Sequence, residues 1–323
     1  MKQPRILTGF GASIGMLILI LDGKTALIGA KTGVELCLWT IIPSLFPFFV
    51  LSVLLTGAFL GQEMKILRPL GRLFSMSKGS EALLIPAFLG GYPAGAQSLA
   101  QAYGAGLMDK QAAQRYLTFC SNAGPAFLFG MLGPMFPKTW MVWLLWGIHI
   151  FSAFLVSRIT PGQEVSLSLP GGSPPSVSAA VLSGTKIMAQ VCGWVVLFRV
   201  VLAFLERWLL WLIPREISIF LSGLLELSNG CCALSGIESI PLRFLLASVF
   251  LAWGGFCVAM QTASVVRGLS IRSYLRGKLL QTLFSLLLSL GFLGHPLALI
   301  PCIFPFFLKK TGNNSRNPAV AGV

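Results

Sequence analysis

The sequence predicts an all-α polytopic membrane protein of about eight to ten membrane elements, some of them interrupted or re-entrant. Three observations carry that expectation. The chain is 55% hydrophobic and only 11% charged, with a mean hydropathy of +0.81, whereas a soluble domain carries about 25% charge. Apolar runs of membrane-span length, roughly 17 to 25 residues, recur from end to end, without the strand-like alternation of a β-barrel. The run from Leu83 to Gly133 is also broken twice, by Gly90-Gly91-Tyr92-Pro93-Ala94-Gly95-Ala96-Gln97 and by Ser121-Asn122-Ala123-Gly124-Pro125. Glycine and proline end helices, and freed backbone groups are costly in hydrocarbon unless they line a site.

The first run, 6–21, follows Lys2 and Arg5. A signal peptide is the rival reading, but no clear small-x-small cleavage site precedes Asp22 and Lys24, so a retained first helix is expected. Runs at 34–60, 81–107, 114–136 and 140–157 follow. A polar stretch over 158–178 contains Pro161-Gly162, Pro170-Gly171-Gly172 and Pro174-Pro175 and reads as a linker. Runs at 179–204, 216–237, 243–266, 275–294 and 296–308 complete a second half, and a polar tail covers 309–323. The domain reading is therefore 1–157, linker 158–178, 179–308 and tail 309–323.

The halves share faint features. Phe88-Leu89-Gly90-Gly91 and Gln97 match Phe250-Leu251, Gly254-Gly255 and Gln261, and Asn122-Ala123-Gly124 has a loose counterpart in Ser228-Asn229-Gly230. Chance similarity between apolar helices is the alternative. Lys65, Arg68, Arg72 and Lys78 form one basic loop; Arg267, Arg272, Arg276 and Lys278 read as another. Positive-inside then places both loops and both termini in the cytoplasm. Ten crossings would make the halves inverted. Eight crossings with re-entrant hairpins at 81–107 and 243–266 would make them parallel.

The candidate site residues are polar groups beside helix breaks. Pro93 suits the first turn of a helix, whose N-terminal N–H groups and dipole would favour an anion inside the membrane. Ala94, Gln97, Gln101 and Gly104 then share one face, where amides could bind a solute or simply glue helices together. Ser121, Asn122 and Gly124 before Pro125 fit a second interrupted helix, with a proline kink as the alternative. Glu226 lies mid-run with Asn229 on its face; a carboxylate there costs roughly 2.5 to 3.5 kcal/mol on insertion scales. It reads as a coupling or substrate group, or as a structural ion pair with Arg199. Gln261 follows Gly254-Gly255 in a weaker version of the same pattern. Lys186 and Gln190 read as interfacial snorkelling.

No enzyme constellation or cofactor motif is present. There is no His–carboxylate pair, no Walker loop and no Cys/His cluster; His149 and His295 lie far apart, and the seven cysteines read as small buried hydrophobes. The net charge of +14 is that of cytoplasmic loops, not a nucleic-acid surface. The expected partners are a small anionic solute and membrane lipid; a homo-oligomer stays open.

Four stretches resemble the YlbJ-like sporulation integral membrane proteins, whose domains belong to the nucleoside-recognition Gate group. They are Pro43-Ser44-Leu45-Phe46-Pro47-Phe48-Phe49, Gly91-Tyr92-Pro93-Ala94-Gly95-Ala96, Phe119-Cys120-Ser121-Asn122-Ala123-Gly124-Pro125 and Leu224-Leu225-Glu226-Leu227-Ser228-Asn229-Gly230. The resemblance implies two Gate-type repeats, and a permease moving dipicolinic acid across the mother-cell-derived membrane around the forespore. It further implies inverted repeats, re-entrant hairpins and a transport domain moving against a scaffold. That combination conflicts with the crossing count above and makes Leu202 to Ile213 a candidate for a missed crossing. The substrate-binding set expected is Gly91, Tyr92, Pro93, Gln97, Gln101, Ser121, Asn122, Gly124, Glu226, Asn229 and Gln261. A nucleoside-like or other small-solute transporter, and a non-transporting scaffold in spore-envelope assembly, are the alternatives. Only the scaffold has no use for broken helices.

Overall fold

The computed structural model describes residues 5–160 and 175–307. The tail over 309–323 and most of the linker over 158–178 lie outside the described residues. The described chain is helical with no strand, and four of its helices are long and apolar enough to cross a membrane: Gly23–Phe59, Thr139–Ile159, Val177–Trp208 and Ile240–Val265. The chain is an all-α polytopic membrane protein. Its outside is apolar: Phe10, Ile20, Leu27, Trp39, Leu182 and Leu197 are exposed, while Glu226, Lys278, Gln281, Ser285 and Ser289 are buried. That is the reverse of a water-soluble surface, and it suits lipid.

Two long helices pack side by side. Gly23–Phe59 is a single run of 37 residues, longer than the 34–60 element expected. A π-helical turn at Cys37–Ile41 precedes Pro43 and Pro47. Each proline leaves a carbonyl one turn back without its usual donor, and the Ser44 hydroxyl donates to the Thr40 carbonyl at 2.7 Å. Gly29 and Gly33 face Val177–Trp208 so closely that a Cβ on either would lie 2.9 Å from the Cα of Val200 or Val196. Small residues one turn apart permit that approach. Val177–Trp208 begins with the Ser176 hydroxyl accepting from Ala179 N at 3.2 Å and continues to Trp208. Leu202 to Ile213 is therefore the end of this helix and a 3-10 turn, not a missed crossing.

The rest of the chain repeats one order of elements: hairpin, broken span, straight span. The first set is a hairpin over 81–104, a span over 110–135 broken at Ser121–Gly124, and Thr139–Ile159. The second is a hairpin over 215–236, Ile240–Val265 broken at Gly254-Gly255, and Ile271–Phe292. The second hairpin thus falls at 215–236, where a crossing was expected, and 243–266 crosses. Two glycines at φ +79 and +82 stop and restart the helix of that span without unwinding it into a hairpin.

Three crossings separate the hairpins. Three is odd, so the hairpins enter from opposite ends of the molecule and the two sets are inverted. Local contacts fix the ends. Arg115 donates to the carbonyls of Ser75, Phe74, Ser157 and Thr160, tying the loop after Phe59 to the end of Thr139–Ile159. At that end Glu81 meets Arg68 at 2.8 Å. Lys78 bonds Glu63 at 2.8 Å, which holds the Glu63 carboxyl below its ordinary range. At the other end Arg243 donates to the carbonyls of Met135 and Ile237, and Arg207 meets Asp22 at 2.8 Å. Trp140, Trp208 and Trp211 are exposed there, in the manner of an interfacial belt.

Candidate functional site

Each hairpin tip abuts the break in the span that follows it. At the first tip, Gly91 (φ +78) and Gly124 face each other: a Cβ on Gly124 would lie 2.9 Å from Gly91 N and 3.0 Å from Leu89 O. At the second, Glu226 stands extended between two helices, and a Cβ on Gly255 would lie 3.1 Å from both Leu225 O and Leu227 N. Glycine at these two breaks is a matter of backbone meeting backbone.

Tyr92, followed by the cis peptide to Pro93, joins the two sets. Its hydroxyl donates to Leu251 O at 2.9 Å, and its ring lies against Gly254. It also accepts from Lys278 Nζ at 2.9 Å. Lys278 is fully buried in Ile271–Phe292 and donates further to Gln281 Oε1 at 2.6 Å and to Asn122 Oδ1 at 3.5 Å. Gln281 Nε2 in turn donates to Asn122 Oδ1 at 2.9 Å and to His149 O at 3.2 Å. Asn122 Nδ2 donates to Phe119 O at 2.7 Å, and Ala123 N donates to His149 Nε2 at 3.1 Å. The opened backbone of the first break is thus held by polar side chains from both straight spans. Among the described residues no carboxylate lies within ion-pair distance of Lys278.

Lys278 corrects the sequence reading, in which it belonged to a cytoplasmic basic loop. The helix starts at Ile271, so seven residues carry Lys278 about 10 Å inward at 1.5 Å per residue. Lys278, Gln281 and His149 are the residues that sequence reasoning missed. Lys278 and Gln281 are spaced i, i+3 inside a run with little amphipathic character, and that spacing was the available signal.

Glu226 is buried and, among the described residues, forms no ion pair. Its carboxylate caps the second helix of its hairpin, accepting from Ser228 N at 3.1 Å, Asn229 N at 2.7 Å and Asn229 Nδ2 at 2.8 Å. The expected partner, Arg199, instead bonds Glu206 on its own helix at 2.8 and 3.2 Å. That helix N-terminus is therefore already occupied by an anion from the chain itself.

The candidate residues separate into two cavities and the cap. A small cavity of about 30 Å³ lies between the tips, lined by Tyr92, Gly124, Leu227, Gln261 and the apolar Leu45 and Val191. It has room for about one water. Gln261 Nε2 there donates only to Cys257 Sγ at 3.3 Å. A larger cleft of about 460 Å³ is lined by Gln97, Gln101, Gly104, Ser183, Lys186, Gln190, Ser264 and Arg267 among others. Gln97 faces the cleft, and Asn122, Glu226 and Asn229 line neither space, so the four do not meet in one cavity. Pro93 precedes the first helical residue as its cap instead of occupying the first turn. Ser121 is buried and its hydroxyl has no partner among the described residues. Of the cysteines, Cys232 is exposed and Cys192 half-buried; the other five are buried.

The chain is similar to the sporulation integral membrane protein YlbJ of Bacillus subtilis strain 168, with 25% identity over 296 residues, 75% of this chain and 71% of that protein. No protein-family profile matches the chain, and no solved structure does.

Proposed function

We propose that the protein is a membrane permease for a small organic anion, with dipicolinic acid as the first candidate and the membrane around the forespore as its place of action. One observation carries the reading. Two inverted hairpins meet two broken spans around a small cavity, and Tyr92, which lines that cavity, holds the Lys278 amine on its hydroxyl. Non-helical backbone inside a membrane is tolerated where it lines a site. An intramembrane lysine without a carboxylate partner invites an anion. Similarity to a sporulation membrane protein supports the setting, and the family resemblance supplies the candidate solute.

In this reading the 30 Å³ cavity is the closed state of the site. A solute carboxylate entering between the tips displaces the Tyr92 hydroxyl from Lys278 and takes its place. The solute's other groups meet Gln261, which lines the same cavity. Glu226 keeps the second tip in shape by capping it.

Uptake of labelled dipicolinate by vesicles containing the purified protein tests this, with labelled nucleosides as controls. Saturable dipicolinate uptake supports the proposal. Nucleoside uptake in its place would reassign the solute, and no solute flux would leave a scaffold in envelope assembly as the better reading.

A further inference from the structure

The larger cleft lies outside the tip cavity, and its walls are the same three segments. On Val177–Trp208, Val191 lines the small cavity, while Lys186 and Gln190 line the cleft. On Gly255–Val265, Gln261 lines the small cavity and Ser264 the cleft, which Arg267 then borders. On the first hairpin, Tyr92 lines the cavity, while Gln97 and Gln101 line the cleft. The step from Gln261 to Ser264 is about one helical turn, roughly 5 Å. The two spaces are therefore in series along one axis, with the cleft at the end where the hairpin base and Arg267 lie.

The cleft has the size of a small-molecule site, within the usual range of about 300–1,000 Å³. Ser264 Oγ in its lining donates to Gln261 O at 2.7 Å, but the cations and one amide are uncommitted among the described residues. Among the described residues neither Lys186 nor Arg267 has a carboxylate within ion-pair distance. Gln97 Oε1 is buried with no hydrogen-bond partner among the described residues, and it stands on the side of the cleft nearer the tips. Cations on two facing walls, with amides on the third, match a solute carrying two negative groups. Ala100, Ile187 and Val265 add apolar surface to the lining, so an acidic lipid is the competing occupant that the test has to separate.

We infer that this cleft is an entry site that binds a small organic dianion on the basic, cytoplasmic side before it reaches the hairpin tips, with Lys186 and Arg267 as its two charge contacts. The inference rests on the permease reading but makes a separate claim about where the solute is first held and what sets its affinity. Lys186 and Arg267 act on capture, not on the passage between the tips.

The full chain in nanodiscs of neutral lipid is titrated with labelled pyridine-2,6-dicarboxylate, and uptake is measured in vesicles. Lys186→Gln and Arg267→Gln should each weaken binding about tenfold, and the double variant about a hundredfold. The KM for uptake should rise in step while the maximal rate holds. Lys186→Arg and Arg267→Lys should keep binding within about threefold, and Lys110→Gln, outside the cleft, should change nothing. Both cations are exposed and, among the described residues, unpaired, so folding is retained. Unchanged affinity and KM in the double variant, with wild-type uptake intact, would overturn the entry site and leave the permease standing. No uptake by the wild type would instead remove the permease reading. The cleft would be a lipid headgroup site if phosphatidylglycerol, and not the dicarboxylate, binds in a Lys186- and Arg267-dependent manner, and the proposal would fall.

Discussion

Lys278→Met separates a lysine kept for function from one kept for the fold. The substitution preserves length and apolar stem and removes the amine. Three acceptors lose a donor, but two of them keep other bonds. Tyr92 Oη still donates to Leu251 O at 2.9 Å, and Asn122 Oδ1 still accepts from Gln281 Nε2 at 2.9 Å. Only Gln281 Oε1, held by Lys278 at 2.6 Å, is orphaned, at a cost of about 1–3 kcal/mol. Against that, a lysine at the centre of a spanning helix costs roughly 2.5–3.5 kcal/mol on insertion scales. The two nearly cancel, with a residue of about 0–2 kcal/mol in favour of methionine.

The folded protein should therefore melt at the wild-type temperature or a few degrees above it, while dipicolinate uptake per folded molecule falls at least tenfold. Melting by intrinsic fluorescence and uptake by vesicles give the two readings on one preparation. A collapse in yield, or a melting point well below wild type, would mean that the lysine holds the first break in shape, and the energy balance above would be wrong. Wild-type uptake in a well-folded Lys278→Met protein would refute the anion role outright.

Three further outcomes are expected. Glu226→Gln leaves at least one donor of the cap unmatched, so stability should fall by about 1–3 kcal/mol; adding Arg199→Met should restore none of it, because Arg199 pairs with Glu206, and a rescue in melting temperature would contradict that assignment. Gly124→Ala puts a methyl against Gly91 N and Leu89 O; uptake should drop sharply in a protein that still inserts, as measured by flux per inserted molecule, and wild-type flux would show that tip and break do not need that contact. Single cysteines at Glu63 and Lys110 should react with an impermeant maleimide only from the cytoplasm, and those at Lys138 and Glu216 only from outside; the opposite pattern would reverse the orientation drawn from charge.

The class of protein was legible because bilayer insertion leaves a one-dimensional trace: run length, charge depletion and broken runs. The two breaks in the first set were legible for the same reason, since Pro93 and Pro125 announce them. The second set was misread because its signals differ. Gly254-Gly255 looks like the Gly90-Gly91 tip, yet the chain continues beyond it as a span. The actual second tip is Leu225-Glu226-Leu227, with no proline or glycine at its centre. There the turn is made by a carboxylate that caps the returning helix, and Gly223 and Gly230 let the arms close on each other. Lys278 was missed because a basic residue near a run's start reads as loop, and only the helix start at Ile271 shows how deep it lies.

Correcting the second hairpin also settles the conflict between inverted halves and the crossing count. With hairpins at 81–107 and 243–266, four crossings would separate them and both would enter from one side. With the second at 215–236, three crossings intervene and the sides alternate. Inversion has a physical consequence for the site. The two tips approach from opposite ends and are built from different chain segments. The first tip stands between the small cavity and a 460 Å³ cleft on the basic side. The second is backed by Gly255 and held by the Glu226 cap. In the proposed permease reading, an anion arriving from the cleft has to move Tyr92 before it meets Lys278, and the bond it breaks on the way, Tyr92 to Leu251, is one that ties the two inverted sets together. That reading therefore couples entry of the solute to loosening of the contact between them.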